Sequence, residues 1–122
     1  MDVEIDVETY HYKGTQKLVY TNNSPDQLDR VFYHLYYNAF QPGSEMDIRL
    51  QNIKDPDKRM MEDGKSRIAS LSESEMGYLH ATSLNQDGKP VTFTEEGTIL
   101  VVDLAQPIPP GGKTTFDMTF EG

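Results

Sequence analysis

The side chains that most readily support catalysis are sparse and scattered in this sequence. Cysteine is absent, which excludes disulfides, thiolate nucleophiles and cysteine-ligated metals. The three histidines, His11, His34 and His80, lie far apart, and none begins the His-Glu-x-x-His pattern that presents two zinc ligands on one helix face. A dispersed three-histidine site stays open as an alternative. We otherwise assign no catalytic, cofactor-binding or metal-binding residue to this chain.

Other motifs with a known mechanism are also missing. The sequence has no Gly-x-Ser-x-Gly elbow, no Walker loop, no Gly-x-Gly-x-x-Gly and no EF-hand loop. Twenty acidic residues guarantee carboxylate pairs by chance, so a carboxylate-based hydrolase has no specific signal. A row of alternating acids near the start comprises Asp2, Glu4, Asp6 and Glu8. Neighbours in such a row are ~7 Å apart on a strand, too far to close a cation site unaided, which favours a solvated face.

Charge and hydropathy exclude two kinds of partner. Eleven basic against twenty acidic residues give a formal net charge of −9, which repels phosphate backbones, so we expect no nucleic-acid partner. No apolar run approaches the ~20 residues that a membrane helix needs, so we expect no membrane span. The composition leaves the compartment open.

The elements that would have to position any site are mostly strands. Val3, Ile5 and Val7 alternate with the acids, which predicts a first strand with its β-branched side chains turned inward. The run from residue 15 to residue 21 is predicted to pair back on it as a hairpin. In that pair, Lys13 and Lys17 would offset the acidic row.

The next segments contain two features with possible functional meaning. Asn22-Asn23-Ser24 ends the second strand and matches the N-glycosylation acceptor pattern. Leu28 to Asn38 fits both a helix and a strand, and its aromatic and β-branched content favours the strand. On such a strand His34 is predicted to be a hydrogen-bonded core histidine. The aromatic residues that follow one another here are Tyr33, Tyr36, Tyr37 and Phe40.

The β pattern lapses between residues 39 and 77. Asp55-Pro56 supplies a helix cap and a proline suited to the first helical position, and Gly64 would end that helix. Ser72 and Glu75 match a capping box. We therefore predict a short helical insertion around residues 55–76.

Two strongly patterned segments close the chain. Residues 98–104 are apolar on both faces, which predicts a strand in the middle of a sheet and buried on both sides. Residues 107–112 hold three prolines and two glycines and are predicted to reverse the chain. Phe116, Met118 and Phe120 then alternate with polar residues. Length and strand spacing together predict one all-β domain over residues 1–122, an antiparallel β-sandwich.

Taken in order, these segments resemble the opening of the zinc aminopeptidase family typified by aminopeptidase N, most closely its large bacterial members. Each segment alone is a generic amphipathic strand, and the likeness rests on their order and spacing. The insertion between Glu45 and Gly77 matches least well. The segments that carry the likeness are residues 3–7, 12–22, 28–35, 38–44 (Asn-Ala-Phe-Gln-Pro-Gly-Ser), 87–91, 100–104, 107–111 and 116–122.

The resemblance implies a saddle-shaped N-terminal β domain that packs beside a thermolysin-like catalytic domain of the same polypeptide. The family's catalytic signatures, His-Glu-x-x-His and Gly-x-Met-Glu-Asn, do not occur here, so no catalytic residue is carried over. Zinc and peptidase activity would belong to the missing catalytic domain. On this interpretation the chain is a non-catalytic fragment of a longer protein, for which we expect a periplasmic or cell-envelope location.

Two further expectations follow from the sequence. If Gly122 lies inside a longer protein, the terminal strand would expose an edge or face, and the isolated chain would cover it by self-association. The alternative function is an independent extracytoplasmic module that binds glycan or protein through the aromatic residues Tyr33, Tyr36, Tyr37 and Phe40.

Overall fold

The computed structural model describes residues 1–122, which form ten strands and one short α-helix. Four 3₁₀ turns lie at Tyr36–Phe40, Lys58–Met60, Ile68–Ser70 and Glu73–Glu75. The strands and the helix are β1 (Asp2–Ile5), β2 (Tyr12–Thr21), β3 (Leu28–His34), α1 (Glu45–Asn52), β4 (Met61–Glu62), β5 (Lys65–Ser66), β6 (His80–Gln86), β7 (Lys89–Pro90), β8 (Thr92–Glu96), β9 (Ile99–Ile108) and β10 (Lys113–Glu121).

The strands form two main sheets whose inner faces share one core. The larger sheet has the order β1-β2-β10-β6-β7 and the smaller has the order β3-β9-β8, and every pairing is antiparallel. Leu84, Phe116 and Met118 enter the core from the larger sheet, and Leu100 and Val102 enter it from the smaller. This arrangement confirms the predicted all-β antiparallel fold.

The two closing strands occupy the centres of different sheets. β9 lies between β3 and β8, which confirms the predicted mid-sheet position, and β10 lies between β2 and β6. The buried residues of β9 lie on one face, because Leu100 and Val102 are buried whereas Asp103 is exposed. The prediction of burial on both sides was therefore too strong. The connection between β9 and β10 joins the two layers and is not a hairpin within one sheet.

The chain reverses later than predicted. β9 continues through Pro107 to Ile108, and the turn begins at Pro109, whose carbonyl accepts the Gly112 N–H at 2.8 Å. The register of β3 against β9 shifts between Leu28 and Arg30, close to where Pro107 lies. A proline is tolerated there because the ladder is already interrupted.

The terminal strand has no free edge, contrary to the expectation from the sequence, and self-association of the chain stays a prediction. β10 pairs with β2 over its whole length and with β6 from Phe116 to Glu121. Beyond it, the Gly122 N–H donates to the Tyr12 carbonyl at 2.9 Å. Since both edges of β10 are hydrogen-bonded, the strand at the end of the chain offers no template for another molecule. The free edges belong to β1 and β7 in the larger sheet and to β3 and β8 in the smaller.

The first hairpin forms as predicted, but its apolar face is not buried. β1 pairs antiparallel with β2, and Lys13 Nζ lies 3.1 Å from Glu4 while Lys17 pairs with Asp117 of β10 instead. The side chains of Val3 and Ile5 remain 47 % and 63 % exposed, and Val7 is also exposed. These side chains are not buried because the three strands of the smaller sheet cannot cover all five strands of the larger sheet, and β1 is the outermost strand.

A glycine lets the inner part of that hairpin pack closely. Gly14 lies in β2 opposite Val3 of β1 and Phe120 of β10. A β-carbon at this position would come within 2.5 Å of the Phe120 ring and 2.8 Å of the Asp2 carbonyl. The ring of Phe120 therefore occupies the space that any other residue at position 14 would need.

The helical part of the insertion lies earlier than predicted. The α-helix spans Glu45–Asn52, where Ser44 caps it by accepting the Asp47 N–H at 3.2 Å. The segment expected to be helical up to Gly64 contains only a 3₁₀ turn and the small hairpin β4–β5. Asp63 and Gly64 both have positive φ there, which is the signature of a two-residue hairpin turn rather than a helix end. The predicted capping box between Ser72 and Glu75 is confirmed, around a single 3₁₀ turn.

Asp47 is the buried carboxylate of this insertion. It accepts the Gly43 N–H at 2.9 Å and the Gln51 side-chain amide at 2.8 Å. The nearby Ser66 hydroxyl is the largest influence lowering the pKa of Asp47, followed by those two bonds, against a raising effect of burial. The Ser66 hydroxyl itself is buried and meets no partner in full hydrogen-bond geometry.

Asp47→Asn is expected to make the free energy of unfolding depend less on pH in the acidic range. A carboxylate whose folded pKa lies below its ordinary 3.8 stabilises the fold above that value, and this stabilisation is lost as the pH falls through the folded pKa. Chemical denaturation at pH 7, 5 and 3 should show the variant less stable than the parent at pH 7, with a smaller loss between pH 5 and pH 3. Equal losses in both proteins would contradict the assignment.

Candidate functional site

An apolar groove opens where the first hairpin extends beyond the smaller sheet. It has a volume of about 570 Å³, and twelve of its fourteen lining residues are hydrophobic. Val3 and Ile5 of β1 form one wall, Tyr36 and Tyr37 form the other, and Phe120 contributes from β10. An uncovered apolar surface of this kind typically marks a site of interaction.

Two buried residues fix the tyrosine wall of the groove. Leu35 is buried just after β3 ends, and its N–H donates to the Thr98 carbonyl at 2.7 Å. The Asn38 side chain accepts the Leu79 N–H at 2.8 Å and donates to the carbonyls of Leu79 and Gly97. Because the 3₁₀ turn is held at both positions, the side chains between them must point outward. No local pattern indicated the role of Asn38, since a lone asparagine after a strand resembles an ordinary turn residue.

Only some of the four aromatic residues predicted to form a binding surface lie together. Tyr36 and Tyr37 are 73 % and 56 % exposed and line the groove, where the ring of Tyr37 lies 6.0 Å from that of Tyr12. Tyr33 also lines the groove, but its ring packs edge-on against Phe116 in the core at 6.2 Å, and burial raises the pKa of Tyr33 to about 12. Phe40 is exposed but does not line the groove.

The three histidines do not converge. His34 is exposed and stacks on Tyr36 with 5.3 Å between ring centroids, so the prediction of a core histidine was wrong. The physical reason is that His34 lies on the outward face of β3 with the exposed Phe32, whereas Val31 and Tyr33 face the core. His11 and His80 lie on either side of Tyr78, with centroid distances of 6.4 and 4.9 Å. No group of three or more histidine, cysteine, aspartate or glutamate side chains lies close enough together to hold a metal ion.

His80 belongs to a contact between the two sheets. Its Nδ1 lies 2.5 Å from Glu95 Oε2, and the other carboxylate oxygen of Glu95 accepts the Ala81 N–H at 3.0 Å. Glu95 is on β8 and both of its partners are on β6. The pair therefore joins the edge of the smaller sheet to the larger sheet, which gives His80 a structural role.

Asn22, on which the glycosylation acceptor pattern falls, has a structural role. Asn22 is fully buried, and its amide nitrogen donates to the carbonyls of Asp26 and Ile108 at 2.8 and 2.9 Å. Its side-chain oxygen accepts from both the backbone N–H and the hydroxyl of Ser24. The amide that would have to carry a glycan is used to tie the end of β2 to the end of β9.

The acidic row lies on the face of β1 that points away from the groove. A polar pocket of about 470 Å³ there is lined by Glu4 and Asp6 together with His11, Lys13 and Glu121. Asp6 accepts the Glu8 and Thr9 N–H groups at 2.9 and 3.2 Å, and the first of these bonds is the main reason that its pKa is lowered. Asp6 thus stabilises the turn after β1, and Glu4 is paired with Lys13.

Comparison with known proteins shows a shared fold. No protein-family model and no curated protein matches this sequence. Among solved structures, the M1 zinc metallopeptidase from Deinococcus radiodurans is similar with a TM-score of 0.50 at 12 % identity. The similarity covers 92 % of this chain but only 16 % of that chain. The structure contains no helix with the length and hydrophobicity that a membrane crossing requires.

Proposed function

We propose that this chain is a non-catalytic N-terminal β domain of an aminopeptidase-like zinc metallopeptidase and that it shapes the cleft of a catalytic domain carried by the rest of that polypeptide. The observation that carries the proposal is the similarity of nearly the whole chain to a small part of an M1 zinc metallopeptidase. The order of strands in the sequence supports the same assignment independently. Zinc and its ligands would lie in the catalytic domain.

The uncovered groove supports a role in packing. Its apolar walls carry exposed tyrosines, and tyrosine is enriched where protein surfaces bind one another because it buries a large area with few rotatable bonds. A surface of this kind is costly to leave in water. We infer that the remainder of the parent protein covers it.

The purified chain is expected to release no amino acids from aminoacyl-p-nitroanilides above the uncatalysed rate, with or without added Zn²⁺. The reason is that no group of side chains here could hold the metal that polarises the scissile carbonyl. An active aminopeptidase in the same assay controls for substrate quality. Zinc-dependent turnover that co-purifies with the chain and survives repurification would overturn the proposal.

A second candidate function, binding of glycan through exposed aromatic rings, is favoured by the stacked pair of His34 and Tyr36 beside Tyr37. The chain contains no tryptophan, so its tyrosine fluorescence can report on this surface. Quenching by soluble polysaccharides that disappears in Tyr36→Ala would favour this function. An unchanged signal would favour the packing role.

A further inference from the structure

The outer edge of β1 carries unpaired backbone groups at known positions. Asp6 donates its N–H to His11 at 2.8 Å, so the backbone of Asp6 faces β2. Tyr12 lies opposite Ile5, and its N–H and C=O groups both form hydrogen bonds with Gly122, on the side away from β1. Because backbone groups alternate sides along an antiparallel strand, the N–H and C=O groups of Val3 and Ile5 point away from the sheet. They form a template to which another strand can add.

The two faces of β1 specify what that strand must look like. Val3 and Ile5 line the apolar groove, so the side chains of an added strand on this side would enter the groove toward Tyr36. Asp2 and Glu4 lie on the other face, and Lys13 pairs with Glu4 but no cation pairs with Asp2. The matching strand therefore alternates apolar residues with lysine or arginine, since opposite charges across a strand pair stabilise it and like charges destabilise it.

A second copy of β1 does not meet this requirement. Side chains on one face of a sheet are opposed by side chains on the same face of the neighbouring strand. Pairing two β1 strands would therefore place acids opposite acids in every register that keeps the apolar side chains in the groove. With Val3 opposite Ile5 of the other copy, for example, the two Glu4 side chains would be direct neighbours. The net charge of −9 adds to this repulsion.

We propose that the free edge of β1 and the adjoining groove bind an extended strand of alternating apolar and basic residues supplied by the remainder of the parent polypeptide. This inference rests on the proposed function for the source of the strand. The hydrogen bonds would come from Val3 and Ile5, the apolar contacts from the groove, and the choice of partner from Asp2 and Glu4.

The probe that tests this proposal is the peptide acetyl-Lys-Val-Lys-Val-Lys-Val-amide, titrated into the ¹⁵N-labelled chain at low ionic strength. The amides of Val3 and Ile5 should shift and become protected from hydrogen exchange. A peptide with glutamate in place of lysine and a block peptide of three lysines followed by three valines should each bind at least tenfold more weakly. Equal binding of all three peptides, or protection only at another edge, would overturn the proposal.

Two variants distinguish addition of the peptide as a strand to the β1 edge from nonspecific electrostatic attraction between the basic peptide and the acidic chain. Ile5→Pro removes an N–H that points outward, so the β1–β2 pair should survive while peptide affinity falls at least tenfold. Asp2→Asn should weaken binding severalfold, whereas the matched charge change Glu96→Gln, on the exposed edge strand β8, should not. Unchanged affinity in folded Ile5→Pro, or a dimer of the parent chain whose β1 amides are protected without peptide, would overturn the proposal. Neither result would bear on whether a catalytic domain follows.

Discussion

Replacing Phe116 with alanine is expected to lower the free energy of unfolding by about 3–5 kcal/mol. Phe116 lies on the central strand of the larger sheet, is 2 % exposed, and packs edge-on against Tyr33 of the opposite sheet. Its removal leaves a cavity at the point where the two layers meet. Domains of this size have a total stability of about 5–15 kcal/mol, so this one change removes a large part of it.

Urea denaturation followed by circular dichroism measures this loss. The matched control is Phe32→Ala, because the Phe32 side chain is 63 % exposed on β3 and its truncation should cost less than about 0.5 kcal/mol. If the two variants lost similar stability, the described burial of Phe116 between the two sheets would be incorrect.

Asn22→Ala is expected to cost about 2–4 kcal/mol, because it removes the amide donor to the Ile108 and Asp26 carbonyls and the oxygen that accepts two hydrogen bonds from Ser24. The loss is large for one polar side chain because Asn22 is fully buried. It should be accompanied by faster amide exchange at Gly111, whose N–H donates to the Asn22 carbonyl, and at position 22 itself, whose N–H donates to the Gly112 carbonyl.

The control for Asn22 is its neighbour in the sequence. Asn23 is exposed, so Asn23→Ala tests whether the turn merely prefers asparagine for its backbone conformation. Its unfolding free energy should stay within about 0.5 kcal/mol of the parent value. A loss in Asn22→Ala no greater than in Asn23→Ala would show that the buried hydrogen bonds contribute little.

Alternation of side chains along the sequence was enough to predict most of the strands and the fold class. Residues 116–120 have the period of two that places every second side chain in the core, and the structure buries Phe116 and Met118. Proline and glycine marked the reversal before β10. These patterns depend only on neighbouring residues. Such local preferences predict the structure correctly where the tertiary contacts favour the same conformation.

The division of strands between two sheets could not be predicted in the same way. Alternation at Val3 and Ile5 is the same whether a second layer covers the strand or not, so the sequence predicted burial where the structure leaves an open groove. The tyrosine wall depends on Asn38, whose partners are Leu79 and Gly97, distant in sequence. Positions set by such long-range bonds have no local pattern.

The short α-helix was missed for a different reason. Proline after Asp55 strongly indicates the start of a helix, but no α-helix begins there. The α-helix begins at Glu45 after Ser44, a pair of residues that is common in any sequence and therefore indicates little. The Asp63-Gly64 pair instead forms a hairpin turn, which is incompatible with a helix over the same residues.

The assignment to a larger protein is tested most directly by the mass of the protein in its native source. Antibodies raised against the purified chain would isolate that protein, and intact-mass and peptide mass spectrometry would identify it. We expect a polypeptide several times larger than 13.9 kDa that contains these 122 residues and a His-Glu-x-x-His peptide on their C-terminal side. A native protein of 13.9 kDa, or a larger one without that peptide, would contradict the proposed function.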